Sequence, residues 1–134
     1  GIIAPDTRFN QTVECLPNLR EKCPDDIILF ADGSPYPVKE EYKRVIDTMV
    51  NVSGYFGAEG PVHDLASSGR KSEAEVVMVF YALAQLKTNP ELSRLFQSVK
   101  RIFKYSARST MNENFDIKKY DGLYGKYVFK KSLP

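Results

Sequence analysis

With 134 residues, 43% hydrophobic content, eight Phe, eight Tyr and a formal net charge of +2, the chain has the size and composition of one folded domain. Such a composition excludes a disordered chain, which would be poorer in large apolar groups. No apolar run reaches the roughly 20 residues needed to cross a bilayer, so a single domain over 1–134 that is not transmembrane is expected. The opening Gly1-Ile2-Ile3-Ala4-Pro5 lacks the basic and apolar regions of a signal peptide and reads as the start of a mature chain.

Residues 1–25 hold prolines at 5, 17 and 24 and show no sustained hydrophobic period, which predicts an irregular arm. Cys15 and Cys23 flank a short segment, and a bridge between them would contribute about 2 to 3 kcal/mol in the chain-entropy account. Two free thiols are the alternative. The sequons Asn10-Gln11-Thr12 and Asn51-Val52-Ser53 favour a secreted, extracellular glycoprotein and hence the disulfide.

Asp26 to Ala31 is a short apolar run ending in the turn signal Asp32-Gly33-Ser34-Pro35, which suits a brief buried strand; a helical start is the alternative. From Pro37, the apolar residues Val38, Tyr42, Val45, Ile46, Met49 and Val50 recur at helical spacing, predicting a first helix over about 37–53 that Gly54 and Gly57 would stop. Asn51 falls opposite its apolar stripe, where a glycan would project into water. Residues 54–71 form a long loop carrying the only histidine, His63.

Ser72-Glu73-Ala74-Glu75 matches a capping box, placing a second helix at about 72–88. Val76 to Ala84 is apolar or Tyr throughout, so this helix should be surrounded by protein. Its valines also admit a strand, against which the capping box and the Ala-Leu-Ala-Gln-Leu continuation weigh. Asn89-Pro90 caps a third helix over about 90–107, with Leu92, Leu95, Phe96, Val99, Ile102 and Phe103 on one face. The short link predicts an antiparallel hairpin of helices two and three. In the tail, Tyr120 to Phe129 combines aromatics with spaced glycines, suggesting a turn and a strand that pairs with 26–31.

The expected fold is therefore mainly α, a three-helix core with a disulfide-pinned N-terminal arm and a small β element. Charge is unevenly spread: residues 1–93 carry 14 acids and 9 bases, whereas 94–134 carry 3 acids and 10 bases. Arg94, Arg101 and Arg108 recur every seventh residue, with Lys100 and Lys104 beside them, so a continuous helix would stack them as a basic ridge. Such a ridge could engage an acidic protein surface, an anionic glycan or lipid head groups; the plainer reading is the solvated back of an amphipathic helix. Nucleic acid is not expected as a partner, since the total charge is small and no binding motif occurs.

His63-Asp64 with Ser67 and Ser68 holds the residue types of a hydrolase triad but no Gly-x-Ser-x-Gly elbow, and one histidine with two cysteines cannot fill a zinc site. No catalytic residue, metal or other cofactor is expected, and the chain is not read as an enzyme. The run Asp26 to Ser34 resembles the first strand and metal loop of von Willebrand factor A-type domains, with Lys39 to Asn51 standing where their first helix does. In that family the loop reads Asp-x-Ser-x-Ser and holds magnesium. Here Asp32 and Ser34 match and Tyr36 replaces the second serine, while the chain is too short for that fold's alternating strands and helices.

The leading functional expectation is a secreted binding protein acting on another macromolecule through its surface. Its rival is a carrier of a small apolar ligand, a fatty acid or sterol, held between helices and lined by Phe80, Tyr81, Phe96 and Phe103. A large apolar patch left exposed would indicate a homodimer.

Overall fold

The computed structural model describes residues 5–32, 39–51, 64–65, 67–123 and 125–126. The chain is mostly helical with a small two-stranded parallel sheet, as the composition and periodicity suggested, but the helices are distributed differently. In chain order the elements are α1 (Pro5–Lys22), β1 (Leu29–Asp32), α2 (Glu40–Lys43), β2 (Thr48–Asn51), α3 (Lys71–Thr88), α4 (Pro90–Leu95) and a 3-10 turn (Ile117–Tyr120).

The predicted irregular arm is an 18-residue helix. Pro5 sits at its first position, where a missing N–H is harmless, and Pro17 forfeits only one interior hydrogen bond. Thr12, Leu16 and Cys23 are buried with Phe9, Val13 and Leu19 half-buried between them, a three-and-four spacing diluted by polar residues. Thr12 is held inside by donating its hydroxyl to the Arg8 carbonyl at 3.0 Å.

The expected disulfide does not form: Cys15 and Cys23 are both buried free thiols. Eight residues of helical rise separate them by about 12 Å, well beyond the Cα spacing of about 7 Å that a disulfide tolerates. The helix therefore forbids the bridge that a flexible arm would have allowed. Burial, chiefly, raises both thiol pKa values above the usual 9.0.

The first predicted helix, 37–53, is also corrected. Only Glu40–Lys43 is helical, and Thr48–Asn51 is a strand paired in parallel with β1, Leu29 opposite Thr48 and Asp32 opposite Asn51. Tertiary bonds turn the chain at Val45–Asp47. The Ile28 N–H donates to the Asp47 carboxylate at 2.7 Å, and the Asp47 and Thr48 N–H groups donate to the Ile28 carbonyl. The β-branched Val45, Ile46, Thr48 and Val50 then suit the extended conformation. Asn51 thus ends β2 rather than standing on the outer face of a helix. The strand expected within 26–31 is present as Leu29–Asp32, and its partner among the described residues is β2.

Two packed groups form the interior. Val50 and Leu92 are buried against Leu29, Met78, Tyr81 and Leu86, joining the sheet to α3 and α4. On the other side, Phe30 and Phe9 stack on Tyr42, with ring centroids 5.3 and 5.8 Å away, joining α1, β1 and α2. A guanidinium completes this junction. Arg20 donates from Nη1 to the Asp26 carbonyl, from Nε and Nη2 to the Val45 carbonyl, and from Nη2 to Asp47 at 2.7 Å.

The second predicted helix is confirmed as α3, at Lys71–Thr88. Its capping box is not made. Arg70 occupies the N-cap position without a side-chain hydrogen bond, and Glu75 reaches instead to Lys104 at 2.6 Å. Nor is the helix wrapped on all sides: Ala74 and Ala82 are buried, whereas Val76 and Phe80 are 68% and 73% exposed. The cap of the third predicted helix is as expected, with Asn89 Oδ1 accepting from the Glu91 and Leu92 N–H groups. That helix ends at Leu95, not near 107. Bonds from Gln97 to Arg94 and from Val99 to Phe96 tighten its last turn, after which the chain leaves helical geometry. In the tail, Gly122 and Gly125 take positive φ of 82° and 74° and make the expected turns; the predicted strand beyond them lies outside the described residues.

Candidate binding surface

The segment following α4 is held by side chains rather than by regular structure. Arg101 donates to the Asp121 carboxylate at 2.8 Å and to the Ile117 carbonyl at 3.4 Å. Lys104 pairs with Glu75 of α3 at 2.6 Å. Tyr105 packs its hydroxyl against the Cys15 thiol of α1 and donates to the Ser109 carbonyl. Burial, then the Cys15 charge and hydrogen bond, push the Tyr105 pKa up to about 12. At the far end Asn18 fastens the chain to α1 twice, donating to the Met111 carbonyl at 3.1 Å and accepting the Met111 N–H at 2.7 Å.

Between these anchors burial alternates on either side of Phe103. Val99, Arg101, Tyr105 and Ala107 are half-buried, while Lys100, Ile102, Phe103, Lys104, Ser106 and Arg108 are exposed. A period of two belongs to extended chain, not to helix, so the cations are sorted differently from the predicted ridge. Lys100, Lys104 and Arg108 share the outward side with Ile102, which is 63% exposed. Arg101 turns inward as an anchor, its side chain only 24% exposed. Arg94 stays behind on α4, beside a shallow recess shared with Gln85, Thr88, Asn89, Pro90 and Glu91. The stacking of three arginines at spacing seven is therefore not made, because the helix that would stack them ends first.

Next to the outward face lies a groove of about 450 Å³ lined by Val99, Lys100, Arg101, Ile102, Leu123, Gly125 and Lys126. It combines apolar walls with cationic rims, and Lys126 is a contributor that the helical reading could not place. Among the described residues, neither Lys100 nor Arg108 makes a salt bridge. Phe103 is partly occupied: its ring meets Tyr120 edge-on at 5.2 Å, and the Arg101 guanidinium stands 5.4 Å from its centroid.

Of the four aromatics expected to line a ligand cavity, Phe80 is 73% and Phe103 46% exposed, whereas Tyr81 and Phe96 are half-buried. His63 and the 33–38 loop of the metal-binding likeness lie outside the described residues. Among those described, no three His, Cys, Asp or Glu side chains gather as a metal site would require, and no helix is long and apolar enough to cross a membrane. Of the sequon asparagines, Asn10 is exposed on α1. Comparison with known protein families, with characterised proteins and with solved structures finds no match.

Proposed function

We propose that this chain is a secreted, non-enzymatic binding protein whose outward face at Lys100, Ile102, Lys104 and Arg108 engages an acidic surface of another protein. The observation that carries the reading is the shared exposure of Lys100, Lys104 and Arg108 with Ile102, which sets three cations around an exposed isoleucine. Cations alone would suit an anionic glycan equally well; an apolar side chain in their midst favours a protein partner, whose contacts combine charge with desolvated area. Lys104 shares its charge with Glu75, so Lys100, Arg108 and Lys126 of the adjoining groove carry most of the attraction.

Support for secretion now rests on the two sequons, with Asn10 exposed; the thiols no longer contribute to it. The non-enzymatic reading is supported by the state of those thiols, since burial holds both in the protonated, poorly nucleophilic form.

Retention on immobilised heparin, used as a polyanion probe, tests the electrostatic half. Joint replacement Lys100→Glu and Arg108→Glu should lower the salt concentration of elution while leaving the melting temperature unchanged. Ile102→Ser should leave heparin elution alone yet abolish capture of the partner from the source fluid. An unaltered elution profile in the charge-reversed protein would remove this face from consideration.

A further inference from the structure

One side of α3 is left uncovered by the described residues. Val76 is 68%, Phe80 73% and Leu83 38% exposed, while Ala74 and Ala82 face the interior. With Glu73 and Lys87, both also exposed, these residues occupy positions 73, 76, 80, 83 and 87. That alternation of three and four is the pattern by which a helix offers a seam to another helix. Scattered apolar side chains on a surface need no explanation, but a seam centred on a phenylalanine does. Lys104 does not cover it, because Glu75, where it attaches, lies about 100° round the helix from Val76.

The charges at the ends of the seam decide what fits it. Glu73 and Lys87 each stand seven positions from Phe80, on the same ridge and about 10 Å to either side. We propose that α3 pairs antiparallel with α3 of a second copy of this chain, about a two-fold axis beside Phe80. In that arrangement Glu73 of each copy lies level with Lys87 of the other, and Val76 lies level with the small Ala84. Glu73 retains its own-chain partner Arg70 beyond the end of the seam. A parallel pairing would instead set like charges against each other at both ends, so the charge pattern selects the antiparallel one. The contact is isologous, and the same patch on both copies closes the assembly at two. It uses a different surface from the 99–108 face and stands independently of the function proposed for it.

Sedimentation equilibrium of the full chain over a wide concentration range tests the pairing, with thermal melting recorded for every variant. The wild-type chain should dimerise, and Phe80→Glu and Lys87→Glu should each weaken the dimer by at least about tenfold. The double variant Glu73→Lys with Lys87→Glu restores the opposite-charge match and should recover most of that loss. Phe80 and Lys87 are exposed, so folding should survive both substitutions. A monomer at every concentration, whether the seam is covered by residues 127–134 of its own chain or left bare, overturns the proposal. So does a dimer indifferent to Phe80→Glu, or a charge swap that fails to rescue Lys87→Glu.

Discussion

Replacing Arg20 with alanine removes a side chain that ties α1 to the loop before β1 and to the turn before β2. Its guanidinium bonds to the Asp26 carbonyl at 2.9 Å, to the Val45 carbonyl at 2.9 and 3.3 Å, and to the Asp47 carboxylate at 2.7 Å. Each backbone carbonyl reached in this way contributes about 1 kcal/mol net. The carboxylate would contribute more if it were dry, but the two side chains are 30% and 41% exposed, which holds the ion pair to about 0.5 to 1 kcal/mol. Arg20→Ala should therefore cost about 2 to 3 kcal/mol. Urea denaturation followed by far-ultraviolet circular dichroism reads this as a midpoint lowered by about 1 to 2 M at unchanged slope. Lysine can keep the attraction to Asp47 but cannot reach three acceptors from one planar fork, so Arg20→Lys should recover only the smaller, ionic share. A loss below about 0.5 kcal/mol for Arg20→Ala, or full stability in Arg20→Lys, would refute the view that the fork holds this junction.

Two further outcomes follow from titration and thiol chemistry. Under denaturing, non-reducing conditions both Cys15 and Cys23 should alkylate completely, whereas in the native protein a thiol reagent should react slowly with either; resistance to alkylation would show the helix does not separate them. The Tyr105 pKa is raised in the folded state to about 12. A group that holds its proton more tightly when folded stabilises fully below its unfolded pKa, here about 10 for tyrosine, and loses that contribution as pH climbs toward 12. Stability should accordingly fall more steeply over that interval in the wild-type chain than in Tyr105→Phe, and equal slopes would contradict the burial of this hydroxyl.

How far the sequence disclosed the structure depended on whether local signals agreed with long-range ones. α3 and the Asn89 cap were legible because length, apolar content and cap chemistry act within a few residues. Residues 90–107 were misread for the opposite reason. The helical spacing of Leu92 to Phe103 is real as far as Leu95. Beyond it, Arg101 and Lys104 exchange the solvated side of a helix for Asp121 and Glu75, acids 20 and 29 residues away. α1 was missed because its buried residues include Thr12 and Cys15, with Cys23 just past its end, residues that hydropathy alone does not mark as core. The proposed binding face was half legible: the cations were identified, but their grouping required the extended path that separates Arg101 from Lys100 and Lys104.

The distribution of burial explains why polar contacts had that authority. Few side chains among the described residues are fully buried, namely Cys15, Leu16, Cys23, Ile28, Val50, Ala74, Ala82, Leu92 and Thr12, and several of them are small. Apolar burial contributes in proportion to the area removed from water, so an interior in which only Leu16, Ile28, Val50 and Leu92 are large constrains the path of the surrounding segments only weakly. Bonds made by Arg20, Asn18, Arg101 and Lys104 then choose among paths of similar apolar content, each by fixing a backbone or an acid distant in sequence. The same economy leaves Phe80, Val76 and Ile102 outside. A domain that buries alanine while exposing phenylalanine on the same helix leaves that apolar area uncovered by the described residues, and a partner helix is what would remove it from water.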